Sequence, residues 1–154
     1  MNLIKLIKKF LIIQNMVSWI VAKIPPYLEF TVGKYLAIKK ALYITAHDET
    51  FGSYIEFGVF TGSSFCHSIR CNRKLSYLNP STLSTKFFGF DSFQGFGEIE
   101  EDDKHSFYTD ENFDTDFVKV KNRVAKVAKN TNFELIPGFF KNTLSNGPSS
   151  LGIK

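Results

Sequence analysis

Cysteine is scarce in this sequence of 154 residues, which contains only Cys66 and Cys71. The pair does not form a C-x-x-C motif, and on one predicted helix the two side chains fall on different faces. This pattern argues against a disulfide framework and against a cysteine-based metal site. It is typical of a reducing compartment, so we expect a cytoplasmic protein.

The sequence also lacks the glycine motifs of three large enzyme classes. It has no G-x-x-x-x-G-K-[ST] run for a phosphate-binding P-loop and no G-x-S-x-G nucleophile turn. A nicotinamide site would need G-x-G-x-x-G with an acid about 20 residues later. Instead, Gly58 and Gly62 form G-x-x-x-G, and Asp91 follows Gly58 by 33 residues. An NAD-dependent oxidoreductase is therefore the weakest of the functions considered.

Arginine is rare, and the histidines are isolated from one another. The net charge is +4, but the lysines are dispersed and only three arginines accompany them. No zinc-finger or RNP pattern is present, so the sequence does not predict nucleic-acid binding. His47, His67 and His105 share no metal-ligand spacing, and we expect surface or packing roles for them.

Negative charge is concentrated in one segment, residues 98–116, which we name the acidic tract. It contains nine of the 15 acidic residues and a single lysine, whereas the rest of the chain has 18 basic and six acidic residues. We expect a long connection with a short helical turn. The tract is either a solvated loop or a lid whose aromatic residues Phe107, Tyr108 and Phe113 help to form a pocket.

No uninterrupted apolar run is long enough to span a membrane. The apolar segment between Lys9 and Lys23 is broken by three polar residues. Residues 1–30 instead predict an amphipathic helical segment, with apolar residues at helical spacing and lysines largely on another face. We favour packing of residues 1–24 on the domain or on a partner subunit of a homo-oligomer. The alternative is a basic amphipathic helix that rests on a membrane surface as a peripheral contact.

The remainder, residues 31–154, predicts a partial Rossmann-like α/β domain. Pro25-Pro26 ends the first helical region, and a second helix is expected at about residues 31–46. Short strand patterns then alternate with helical ones at residues 53–57, 86–90 and 133–136. This alternation predicts a parallel sheet with flanking helices and right-handed crossovers. Ligands of such sheets bind outside the carboxyl ends of the strands.

The first predicted strand ends in a glycine turn suited to a nucleotide cofactor. Gly58 and Gly62 permit a sharp turn and close approach of a ligand to the backbone. The helix that follows would direct free N–H groups and the hydroxyls of Ser63 and Ser64 at a carboxylate or phosphate. Glu56, beside the turn, is suited to accept a hydrogen bond from a cationic amine. The alternative is a tight strand-to-helix turn without a ligand.

The other two strand ends carry groups that suit the rest of such a cofactor. Asp91 can chelate paired ribose hydroxyls through its two carboxylate oxygens, or it can serve as a helix cap or loop acid. Gly138 and Phe139 can flank an adenine face, although Pro-Gly-Phe is also an ordinary turn. The convergence of these groups at one sheet edge predicts S-adenosylmethionine as the cofactor.

Three motifs in order carry a family resemblance. They are YIEFGVFTGSS from Tyr54, FGFDSFQG from Phe88 and LIPGFFKNTL from Leu135. Residues 31–154 thereby resemble class I S-adenosylmethionine-dependent methyltransferases, specifically the macrocin O-methyltransferase family, which modifies sugar hydroxyls of natural products. The expected function is O-methyl transfer to a sugar or sugar-like small-molecule acceptor. The alternative is a non-catalytic α/β binding module that acts through its N-terminal helix.

The resemblance implies a role for each motif. Glu56, Gly58 and Gly62 would surround the methionine part of the cofactor. Asp91 would hold the ribose with Ser92 beside it, and Gly138 and Phe139 would lie near the adenine. The acidic tract would cover the acceptor.

The sequence departs from the family after the third strand. The family continues with a strand whose Asp-rich end carries a metal ligand and the catalytic acid, whereas this sequence stops at Lys154. The resemblance therefore implies a fragment or a truncated relative, without ligands for the magnesium ion that a full-length relative would use. We expect the isolated chain to be inactive, and the sequence assigns no catalytic residue.

Overall fold

The computed structural model describes residues 3–50, 52–97, 99, 101–105 and 110–145. The chain divides into two compact units, Met1–Leu36 and Ala37–Lys154. Among the described residues, every strand belongs to the second unit.

Two helices open the chain: α1 spans Leu3–Val21 and α2 spans Pro26–His47. The start of α2 differs from the predicted start near residue 31. Proline fits the first turn of a helix, where its missing N–H would have no partner, so Pro26 begins this helix as well as separating it from α1. Among the described residues, no helix combines the length and apolar character needed to cross a membrane.

The sheet has three parallel strands in the order β1-β2-β3. They are β1 (Tyr54–Phe57), β2 (Phe87–Asp91) and β3 (Phe133–Pro137). In the register, Phe87 lies between Tyr54 and Phe133. This arrangement confirms the predicted parallel α/β sheet, and it brings all three carboxyl ends to one edge.

The two long helices of the second unit, α3 (Ser63–Leu75) and α5 (Phe117–Ala128), pack together. Asp116 is the N-cap of α5, because its carboxylate accepts the Lys119 N–H at 3.0 Å. That hydrogen bond also lowers the pKa of Asp116. Aspartate is one of the residues favoured at this position of a helix.

Shorter helical segments connect these elements. They are α4 (Asp110–Phe113), α6 (Phe140–Thr143) and two 3₁₀ turns at Pro80–Ser84 and Glu101–Asp103. The second 3₁₀ turn and α4 place helical geometry inside the acidic tract, as predicted.

The core lies between α3, α5 and one face of the sheet. Phe65 and Ile69 of α3, Phe87 of β2 and Val124 of α5 are all fully buried there. Gly89 allows the close approach that this core needs, since a Cβ atom at that position would lie 2.7 Å from side-chain atoms of Leu135 and Val59. On the opposite face, the rings of Phe57 and Phe90 stack with centroids 5.3 Å apart.

Candidate functional site

A cleft of about 440 Å³ lies at the carboxyl ends of the three strands. Small-molecule sites commonly enclose roughly 300–1,000 Å³, so this volume suits a small organic ligand. The lining residues are Gly58, Phe60, Asp91, Ser92, Gly95, Phe96, Phe113, Gly138, Phe139 and Phe140.

The predicted site residues divide into two groups. Five of the eight line the cleft together, namely Gly58, Asp91, Ser92, Gly138 and Phe139. The other three, Glu56, Gly62 and Ser63, do not line it, although all belong to described elements. The sequence shows that these three residues lie next to the turn after β1, but it does not show which way each of them faces.

Asp91 organises the cleft from the end of the middle strand. Its Oδ2 atom accepts the Phe60 N–H at 2.7 Å, and its Oδ1 atom accepts the Phe93 N–H at 2.7 Å. Both phenylalanines have left-handed backbones, with φ of 50° and 57°. Because an ionised carboxylate has about four acceptor sites, each oxygen keeps capacity for a further donor from a ligand.

The turn after β1 leaves open space at its first residue. Gly58 has φ of 77°, and a Cβ atom there would meet nothing within 4 Å. Gly62 has φ of 75°, but its Cβ position lies 3.2 Å from Val120 and 3.3 Å from Val124. Gly62 therefore serves the packing of the turn against α5, which is why it does not face the cleft. It is also the N-cap of α3, and among the described residues no side chain caps that helix end.

Glu56 lies in a hydrogen-bond network that is directed at α3. Its two carboxylate oxygens accept the Tyr54 hydroxyl and the Ser64 hydroxyl, each at 2.7 Å. Ser68 donates in turn to the Tyr54 oxygen at 2.8 Å. Burial raises the pKa of Tyr54 far above its ordinary value, and the neighbouring Glu56 raises it further. The phenol therefore remains a hydrogen-bond donor to Glu56 across the physiological range.

The turn after β2 is closed by the Ser92 hydroxyl. It donates to the Gly95 carbonyl and accepts the Gln94 N–H at 3.2 Å. The Ser92 side chain thus fixes the turn that carries Phe93, in addition to lining the cleft.

The end of β3 completes the cleft on the other side of Asp91. The Gly138 N–H donates to the Asp91 carbonyl at 2.9 Å, which extends the β2–β3 ladder. Phe139 packs against Gly97, the residue before the acidic tract, since a Cβ atom at Gly97 would lie 2.8 Å from its ring. Gly97 therefore leaves the space that the Phe139 ring occupies.

Aromatic rings make up the apolar part of the cleft. The ring centroid of Phe113 lies 5.7 Å from that of Phe60 and 4.7 Å from that of Phe96. Of the two alternatives for the acidic tract, the pocket-forming one agrees with the position of Phe113, which lines the cleft; Phe107 and Tyr108 lie outside the described residues. Sequence reasoning missed Phe60, Phe96 and Phe140. The sequence feature that could have indicated them is the large number of phenylalanines, several of which lie in loop-like stretches near glycines.

The electrostatics of the cleft are simple. Asp91 is the one ionisable side chain among the described lining residues. No group of three histidine, cysteine or acidic side chains within the described part of the chain could hold a metal ion. Burial raises the pKa of both Cys66 and Cys71, so neither is an activated thiolate.

The chain resembles known proteins in its fold but not detectably in its sequence. No protein-family model matches the chain, and no curated protein matches it significantly by sequence. Among solved structures, however, the chain matches methyltransferases in fold, which supports a Rossmann-like α/β architecture.

Two of these solved structures are the O-methyltransferase NovP and CalS11, a calicheamicin methyltransferase. NovP aligns over 74% of this chain at 18% identity with a TM-score of 0.56, and CalS11 over 86% at 18% identity with a TM-score of 0.59. The chain spans about half the length of these proteins, 48% of NovP and 56% of CalS11.

Proposed function

We propose that this chain is the cofactor-binding part of an S-adenosylmethionine-dependent O-methyltransferase whose acceptor is a hydroxyl of a small, sugar-like molecule. The observation that carries the proposal is the position of Asp91 in the cleft. It lies at the end of the middle strand, between the glycine turn after β1 and the Gly138-Phe139 turn after β3. The assignment of an oxygen atom as the methyl acceptor is supported by the likeness in fold to NovP, which is an O-methyltransferase.

The adenosine part of the cofactor would lie against Asp91. Each carboxylate oxygen is already held by one backbone N–H, so the group is fixed in direction and retains acceptor capacity for two ribose hydroxyls. Phe139 and Phe140 offer aromatic faces beside it for the adenine.

The methionine part would lie at the turn after β1. Gly58 leaves space for it, and the uncapped first turn of α3 offers backbone N–H groups to its carboxylate. Glu56 does not line the cleft; its hydrogen bonds to Tyr54 and Ser64 hold a negative charge beside the turn. That charge would attract the methionine ammonium group.

The bound cofactor would supply the electrophilic methyl group. The described residues of this chain would bind the cofactor, orient it and exclude water with the phenylalanines of the cleft. The lining residues include one ionisable group, Asp91, which is engaged with the backbone. The proposal therefore assigns no base from these residues.

Calorimetric titration of the chain with S-adenosylhomocysteine and, separately, with NAD tests the proposal. We expect saturable binding of one S-adenosylhomocysteine per chain and no binding of NAD. Binding of NAD without S-adenosylhomocysteine would favour the oxidoreductase alternative, and binding of neither would show that this cleft is not a cofactor site.

Replacing Tyr54 with phenylalanine tests the part assigned to Glu56. The change removes one of the two donors that orient that carboxylate, a hydrogen bond that contributes about 1 kcal/mol to the folded structure. We expect weaker binding of S-adenosylhomocysteine but unchanged binding of 5′-methylthioadenosine, which lacks the amino-acid part. Tyr77→Phe, at an exposed position, is the control. Equal weakening of both ligands would point to general damage to the fold instead.

A further inference from the structure

The helix α1 exposes an apolar surface that the proposed function does not use. Its apolar side chains from Phe10 onward are each more than half exposed, including Phe10 at 61% and Trp19 at 63%. The full set is Phe10, Leu11, Ile12, Ile13, Met16, Val17, Trp19, Ile20 and Val21. A contiguous exposed surface of this kind marks an interaction site.

This apolar surface is broader than a two-helix contact requires. Phe10, Ile13 and Val17 follow the narrow seam of a coiled coil, with spacings of three and four residues. Ile12 and Trp19 lie off that seam and are equally exposed. A second copy of the helix would leave them in water, whereas the interface of a bilayer takes up a broad apolar face.

The charge of this N-terminal segment indicates what kind of partner surface α1 would bind. Residues 1–28 contain four lysines and no acidic residue; the first acid is Glu29. A second copy of α1 would bring only further lysines, with nothing of opposite charge to pair with them. A bilayer that contains anionic lipids supplies both an apolar interior and negative headgroups.

Trp19 and Lys23 form a pair typical of a membrane interface. The Lys23 ammonium lies 3.5 Å from the centroid of the Trp19 ring. Tryptophan rings favour the headgroup level of bilayers, and lysines extend their charge from there into the aqueous layer. The pair is at the end of α1, where the apolar stretch stops.

From these observations we propose that α1 docks the protein on the surface of an anionic lipid bilayer. The helix would lie in the plane of the interface with its apolar residues among the acyl chains and its lysines at the headgroups. It would lie on the membrane and not cross it, consistent with the lysines within it. This inference does not depend on the proposed methyltransferase activity.

Vesicle flotation of the full chain tests the proposal. We expect it to float with vesicles of equal parts phosphatidylcholine and phosphatidylglycerol and to stay behind with phosphatidylcholine alone. Added salt should weaken the binding, because it screens charge at the headgroup surface.

Two variants separate the charge and apolar contributions. The triple variant Lys5→Gln, Lys8→Gln, Lys9→Gln should lose about a hundredfold in partitioning, since each lysine near an anionic surface contributes about fivefold. The matched control, Lys74→Gln, Lys121→Gln, Lys126→Gln, removes the same charge from exposed positions of α3 and α5 and should float as the unchanged protein does. Trp19→Ser should also reduce flotation.

Three results would overturn the inference. One is equal flotation with neutral and anionic vesicles, and another is an equal loss in the two triple variants. The third is a dimer in lipid-free sedimentation that dissociates on Val17→Ser, together with an absence of flotation. That last result would assign the apolar face of α1 to a second copy of the chain.

Discussion

Replacing Asp91 with alanine is expected to weaken S-adenosylhomocysteine binding about a hundredfold, measured by calorimetric titration. In the proposed complex the carboxylate accepts two ribose hydroxyls, and a hydrogen bond to a charged group contributes about 1.5 kcal/mol or more. Two such bonds correspond to a factor of about 100 in the dissociation constant. The 5′-methylthioadenosine affinity should fall equally, because that ligand carries the same ribose.

Two further variants serve as controls for this prediction. Glu134→Ala removes an exposed carboxylate from β3, outside the cleft, and should leave both affinities unchanged. Asp91→Asn keeps the size of the side chain and one acceptor oxygen, so its loss should be smaller than that of the alanine variant. Unchanged affinity in Asp91→Ala would show that the ribose assignment is wrong.

Asp91→Ala should also lower the free energy of unfolding. Phe60 and Phe93 are both left-handed, a conformation that costs an ordinary residue about 1 kcal/mol or more. Their N–H groups each donate to the Asp91 carboxylate at 2.7 Å, which offsets that cost. The affinity should therefore be measured at a temperature where thermal melting shows the variant to be folded.

The sequence is informative about the strands because their residues are strongly patterned. The run at residues 86–90 predicts β2, and the structure places the strand one residue later, at Phe87–Asp91. The apolar positions of residues 117–128 likewise predict α5, and the structure caps that helix with Asp116. Burial along nearly all of β2 requires a continuous apolar run, whereas burial of one face of α5 requires apolar residues at helical spacing, so both elements are recoverable from the sequence.

The backbone conformation of the cleft residues is harder to predict from the sequence, because contacts between residues far apart in the chain determine it. Nothing about phenylalanine suggests a left-handed backbone at Phe60, which is held by an acceptor 31 residues away. The direction of Glu56 had a signal in the sequence, since alternation along a strand places Tyr54 and Glu56 on the same face. The hydroxyls of Ser64 and Ser68 that complete its network could be placed only with α3 in position.

Replacing Gly89 with alanine is expected to destabilise the fold by about 1–3 kcal/mol, the usual cost of overpacking a core. The new Cβ atom would lie 2.7 Å from Leu135 and Val59 and 3.1 Å from Phe65, and all three side chains are buried. Urea denaturation followed by circular dichroism should show a lower midpoint with an unchanged slope.

The matched control is Gly33→Ala, the same chemical change in the exposed interior of α2. A Cβ atom there meets nothing within 4 Å, and alanine is the better helix former, so this variant should gain about 0.5–1 kcal/mol. Opposite signs for the two variants would show that Gly89 is required for close packing and not for chain flexibility. A stable Gly89→Ala variant would contradict the close packing of β2 against Val59.

Because Val59 follows Gly58 and Gly89 precedes Asp91 by two residues, the destabilising variant should also bind S-adenosylhomocysteine more weakly.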